Sequence, residues 1–117
     1  MTNPDPTPTD WHKASYLAFN GDKSVGVRTT RDGVITGLKL TRQALDRGEK
    51  WLSIEIPRIA ELAYAKSMHG LRKEMEEHAQ LNGVEPAHDV MHEMKLPTAE
   101  HIQELENAER ERPITAA

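Results

Sequence analysis

Two histidines four residues apart, in the run His88-Asp89-Val90-Met91-His92, are the first residues of this chain whose type and spacing could do chemistry. On a helix such a pair shares one face, as in zinc-binding helices, and an acid follows the first histidine as in the HExxH metalloprotease motif. That acid is Asp89, a methylene shorter than the glutamate that acts as base there, and a third ligand would have to come from His101 or Glu93. Short helices rich in His and acids are common on solvated surfaces, so His88 and His92 are read as a surface pair and no metal is assigned. Met68, Met75, Met91 and Met94 fall on helical stretches, where core filling is the default role and a methionine-lined partner groove the alternative. Gly33 and Gly37 sit inside a hairpin pattern rather than between a strand and a helix, so they form no phosphate loop. No serine lies in a nucleophile elbow, and there is no cysteine. The expectation is a protein that is not an enzyme and carries no cofactor or metal.

Charge supplies the next candidates. The net charge is −4, but residues 23–50 carry seven bases against three acids, and residues 73–112 carry eleven acids against four bases. Strand alternation places Arg28, Arg31 and Lys39 on or beside one outer face, a candidate surface for DNA or another anionic partner. The bland reading is a solvated sheet face and a solvated helical tail. An acidic chain disfavours general nucleic-acid affinity, which rests on phosphate neutralisation, so a protein partner is the stronger expectation.

The elements that position these residues follow from periodicity. Lys23 to Leu40 reads as a β-hairpin: Val25 and Val27 alternate with polar or small residues, Asp32-Gly33 supplies a tight turn with two positive-φ positions, and Val34, Leu38 and Leu40 resume the two-residue period. A first strand fits Tyr16 to Phe19, ended by Asn20-Gly21-Asp22. Thr41 caps one short helical turn that Arg47-Gly48 breaks. From Glu49 the period changes to three and four, through Leu52, Ile56, Ile59, Ala63, Ser67 and Leu71, which predicts a long amphipathic helix ended by Asn82-Gly83, with Pro57 marking a kink or the start of its regular part. A weaker helical piece covers His88 to Lys95, and Thr98 caps a last helix whose large apolar residues are Ile102 and Leu105.

The fold class expected is α+β: a small antiparallel three-stranded sheet, then a long amphipathic helix and a helical C-terminal tail. The division expected is a disordered arm over 1–14, with Pro4, Pro6 and Pro8 among polar residues, a β-β-β-α core over 15–82 and an acidic helical tail over 83–117. At 117 residues, with 37% hydrophobic and only 4% aromatic residues, the core is thin, which points to a homodimer. Val25, Val27, Leu38, Leu40, Leu52, Ile56 and Ile59 are the candidate core and dimer residues. No run is long and apolar enough to span a bilayer and no signal peptide is recognisable, so the expected location is the cytoplasm, with no membrane partner and no small-molecule substrate evident.

The order Ser24-Val25-x-Val27, Asp32-Gly33-Val34-Ile35-x-Gly37-Leu38-x-Leu40, then a long helix with Ile59-Ala60-x-Leu62-Ala63-Tyr64-Ala65, resembles the YbaB/EbfC family of small dimeric proteins. Met94-Lys95-Leu96-Pro97-Thr98-Ala99-Glu100 with the following Glu104-Leu105-Glu106 is similar to the tail of the EspD/EspH-type accessory proteins of mycobacterial type VII (ESX) secretion, which share a YbaB-like core. The likeness covers residues 16–112. It implies a YbaB-like homodimer serving as a non-enzymatic accessory or chaperone-like binding protein of type VII secretion, with a protein of that system as partner. The alternative it implies is a nucleoid-associated DNA-binding protein. The long basic N-terminal helix of YbaB proteins is missing here, and so is the Trp-x-Gly and Tyr-x-x-x-Asp/Glu signal of type VII substrates, so export would need a partner.

Overall fold

The computed structural model describes residues 14–114, so the expected arm over 1–14 lies, but for its last residue, outside the described residues. Three strands, β1 (Ser15–Phe19), β2 (Val25–Thr30) and β3 (Ile35–Leu40), form an antiparallel sheet in the order β1-β2-β3. Four helices follow: α1 (Arg42–Asp46), α2 (Glu49–Leu81), α3 (His88–Glu93) and α4 (Ala99–Glu111). The class is α+β, a three-stranded sheet followed by a long helix and further helices.

The hairpin turn is tighter in its demands than expected. Of Asp32 and Gly33 only Gly33 has a positive φ, at 81°. The Gly33 amide donates to the Thr30 carbonyl and the Thr30 amide to the Val34 carbonyl, both at 3.0 Å, which makes a three-residue loop with glycine in the left-handed position. Register also differs from simple alternation. Thr29 stands opposite Ile35 but Arg28 opposite Gly37, so Thr36 is an extra residue, a β-bulge. It shifts the phase of β3, and Ile35 joins Leu38 and Leu40 on the face that carries Val25 and Val27.

Helix ends obey local chemistry. The Thr41 hydroxyl accepts from the Ala44 amide at 3.2 Å and the Thr98 hydroxyl from the His101 amide at 3.1 Å. Past α2, Gly83 takes φ 66°, and the amides of Gly83 and Val84 bond back to Gln80 and Ala79, a Schellman end. Pro57 lies inside a continuous α2 and leaves the Ser53 carbonyl without its helical donor.

The core is where α2 crosses β1 and β2. Ala18, Val25, Val27, Ala44, Ile59 and Ala63 are buried, with Leu40, Trp51, Leu52, Ile56, Ala60 and Leu62 packed around them. On α2 the buried seam runs Glu55, Ile59, Ala63, Ser67, one residue every four. Of the candidate core residues, Val25, Val27 and Ile59 are fully buried and Leu40, Leu52 and Ile56 half-buried. Leu38 is not a core residue. Its side chain is on the correct face but 49% exposed, because α2 lies over β1 and β2 and leaves β3 outside its cover.

The tail folds back. The His69 ring nitrogen Nδ1 meets the Pro97 carbonyl at 3.0 Å, Arg72 donates to the Leu96 carbonyl at 3.1 Å, and α4 runs along α2, fastened by Lys66 to Glu106 at 3.4 Å and by Arg112 to Glu55 at 2.6 Å. At the other end of the core, Arg47 ties the α1–α2 junction to the β1–β2 turn. It bonds Asp22 at 2.7 Å and the Ser24 hydroxyl at 2.9 Å, and its guanidinium lies 4.8 Å from the Trp51 ring centroid.

Burial pushes the Asp22 carboxyl up, but hydrogen bonds from Ser24 and Arg47 outweigh it and hold the group below its ordinary value. A carboxyl lowered in the folded state stabilises above its unfolded pKa, about 3.9, and loses that contribution as pH falls through the folded value. The stabilisation lost in Asp22→Asn is therefore expected to be less than about 1 kcal/mol at pH 6, and to shrink progressively as pH falls below about 4, in urea titrations of both chains.

Candidate functional site

The sheet face that α2 leaves bare begins at β3. Leu38 stands opposite Val27, and Ile35 opposite Thr29, so both point to the helix side of the sheet, yet Ile35 is exposed like Leu38. Across from them on α2 lies Tyr64, 42% exposed, with its ring under the hairpin turn: a Cβ placed on Gly33 would stand 3.5 Å from it. Leu40, Ile56 and Ala60 form the half-buried floor between. The result is an apolar band along one flank of α2, bounded by the open edge of β3. An edge strand with unpaired backbone groups next to exposed aliphatic side chains is a pairing surface unless something covers it.

The basic residues divide. Arg28 pairs with Gly37 and Lys39 with Gly26, so the two cations are diagonal neighbours on the outer face, both exposed. Arg31 is a correction to the sequence reading: it is 3% exposed and faces inward. Its two terminal nitrogens bond both Glu74 oxygens at 2.7 Å, one of them also bonding the Tyr16 hydroxyl at 2.7 Å. The Glu74 bonds, set against the cost of burial, raise the Arg31 pKa further, so it stays charged at any accessible pH. Arg31 is the first residue of the hairpin loop, and strand alternation carried into that loop turns it to the same side as Val27 and Thr29. It fastens the hairpin tip to α2 and belongs to the scaffold of the band rather than to an outer basic face.

His88, Asp89, His92 and His101 line one open cavity of about 610 Å³ with Arg72 and Lys95, but no group of three or more potential ligands is arranged to hold a metal ion among the described residues. Met91 is fully buried, while Met94 is half exposed beside it. No helix among the described residues is long and apolar enough to cross a membrane.

Sequence reasoning missed two positions that seat the C-terminal helix. Glu55, on the helix seam, is 3% exposed and accepts from Asn20 at 2.9 Å and Arg112 at 2.6 Å. Gly21 admits α4: a Cβ there would stand 2.9 Å from the Glu109 carbonyl oxygen. The four-residue spacing of Glu55 from Ile59 was the available signal for the first; nothing in the sequence marks the second.

No family model, curated protein or solved structure matches this chain. The site stands on its own geometry.

Because Arg31 is buried and bidentate while Arg28 is solvated, their replacements separate. Arg31→Ala is expected to cost about 1–3 kcal/mol of unfolding free energy. Arg28→Ala should stay within about 0.5 kcal/mol. Chemical denaturation of the two variants side by side measures the difference.

Proposed function

We propose that this chain is a non-enzymatic accessory protein that works by binding other protein, and that a second copy covers its apolar band to make a homodimer. The observation that carries the reading is the band itself: Ile35 and Leu38 exposed on a sheet face whose other half is the core, with Tyr64 of α2 exposed across from them. A small domain with a thin core gains most by burying such a face against its own kind, since a two-fold axis beside the β3 edge brings identical apolar residues together. The resemblance to EspD/EspH-type proteins supplies the setting, type VII secretion, where an accessory or chaperone-like protein binds a component of the system. Export together with such a partner belongs to the same proposal.

Leu38→Asp tests the dimer. With Leu38 half exposed, the substitution leaves the monomer core intact but puts a charge into the proposed interface. Sedimentation is expected to show a dimer for the unsubstituted chain at tens of micromolar, and a folded monomer for the variant. A folded monomer in both would overturn the reading. Capture from nuclease-treated lysate of a mycobacterial host, with components of the secretion apparatus retained by the unsubstituted chain, tests the setting.

Arg28 and Lys39 on the outer face favour a second reading, a nucleoid-associated DNA-binding protein. Two copies in a dimer would double that face. The contact would be to phosphates and would weaken steeply with salt. Gel retardation at low salt that is lost in Arg28→Ala/Lys39→Ala, with Arg31 untouched, is the expected result of this reading; no retardation disposes of it.

A further inference from the structure

The flank of α2 turned away from β3 is covered by α4, and the cover is held at points rather than along a packed face. Ile102 is the one large side chain of α4 that is buried, and Leu105 is half-buried. Three solvent-open grooves, of about 490, 410 and 180 Å³, run beside the seam. The fasteners are ionic. Lys66 reaches from α2 to the Leu17 carbonyl at 2.8 Å and to Glu106 at 3.4 Å. Arg112 reaches Glu55 and Glu109, both at 2.6 Å.

Glu55 makes this more than a loose end. It is a carboxylate on the floor of the groove, 3% exposed, with the neutral Asn20 amide as its second donor. A buried carboxylate is costly without a cation, and here the cation arrives from the last turn of a thinly packed helix. The groove therefore specifies its occupant: an apolar side chain opposite Ile102's place, a carboxylate for Lys66 and a guanidinium for Glu55. Gly21 completes it. Its φ is ordinary, so glycine is there for space, and the Glu109 and Arg110 carbonyls pass where a Cβ would be, at 2.9 and 3.3 Å.

We propose that this groove is a helix-binding site that α4 occupies in cis, and that its other occupant is an amphipathic helix of a partner protein bearing α4's own pattern, two apolar residues three apart and an arginine seven residues beyond the second. The connector from 82 to 98 allows exchange. It carries left-handed residues at Gly83 and Lys95, and Pro86 and Pro97, and it is docked on α2 through His69 at the Pro97 carbonyl and Arg72 at the Leu96 carbonyl, so the exchange is of α4 from Thr98 onward while the connector stays in place. The site is separate from the β3-side band and does not depend on the dimer.

The test uses the full chain and, as probe, a fluorescein-labelled synthetic peptide of residues 98–113. Hydrogen exchange reports release of α4 against protection of β2, and anisotropy reports peptide binding. Arg112→Ala is expected to lower protection across α4 alone and to raise peptide affinity about tenfold or more, because a tethered competitor acts at millimolar effective concentration. Adding Gly21→Val should abolish that gain while α4 stays released, since the peptide backbone meets the same obstruction. Glu106→Lys, which opposes Lys66 without touching Glu55, should release α4 by an independent route. Loss of protection in α4 and β2 together in both single variants would make α4 part of the core and overturn the proposal. Release of α4 without a gain in peptide affinity would overturn it equally. Peptide-inhibited dimerisation of Arg112→Ala in a Leu38→Asp background would give the groove to a second copy and overturn the partner-protein occupant.

Discussion

One helix has to cover three strands, and it cannot. An α-helix with its side chains is about 10 Å across, and strands stand about 4.8 Å apart, so a single α2 shields two strands and leaves a third. The chain places α2 over β1 and β2, and the burial of Ala18, Val25 and Val27 against Ile59 and Ala63 follows from that choice. Small residues on the seam, Ala63 and Ser67, let the helix lie close, and Gly70 leaves room for the Tyr16 hydroxyl, which a Cβ there would meet at 2.2 Å. What remains of the helix-side face, Ile35 and Leu38, is left bare for the same geometric reason. Width alone thus creates a core on one side of α2's midline and an unfinished core on the other.

Polar links then fix the helix in register along the sheet. Arg31 with Glu74 fastens the hairpin tip near the far end of α2, and Asn20 with Glu55 fastens the β1–β2 turn near its start. Each pairs a loop residue with a carboxylate on the helix, so the long helix cannot slide by a turn without breaking both. The segregated charges of the sequence resolve differently from a simple attraction between basic sheet and acidic tail. Arg28 and Lys39 point away from all helices, and the acidic tail meets cations of α2 and its own Arg112 instead.

Much of the fold was legible because it is local. The strands, the Thr41 and Thr98 caps, the Gly83 stop and the long period from Glu49 each depend on residues within a turn of one another, and the element order follows from them. Three features depend on distant partners, and the sequence is silent on them. The Thr36 bulge exchanges Val34 for Ile35 on the inner face, which a strict two-residue period cannot foresee. Arg31 reads as surface because arginine usually is; only the Glu74 carboxylate, 43 positions along, draws it inward. Glu55 reads as the solvated side of an amphipathic helix until Arg112, 57 positions away, arrives to neutralise it. Of the candidate site, Leu38 and the pair Arg28 and Lys39 were visible in type and face, while exposure, which decides their use, was set by the width of α2.

The two flanks of α2 consequently carry different thermodynamics. On the β3 side the proposed contact is made by side chains carried on the sheet and on α2, so a partner there has few loops to order, which suits the dimer proposed for it. On the β1 side the surface is already satisfied by α4, so an incoming helix gains only the difference between its own fit and α4's, and must first displace a competitor tethered at high effective concentration. Such a site discriminates sharply between a close match and a poor one, because most of the shared binding energy cancels and the residues at Ile102, Glu106 and Arg112's places decide the outcome. A buried carboxylate at Glu55 sharpens this further, since an occupant without a cation leaves it unpaired. Under the two proposals one flank serves constancy and the other selection, and the difference follows from a helix too narrow for its sheet.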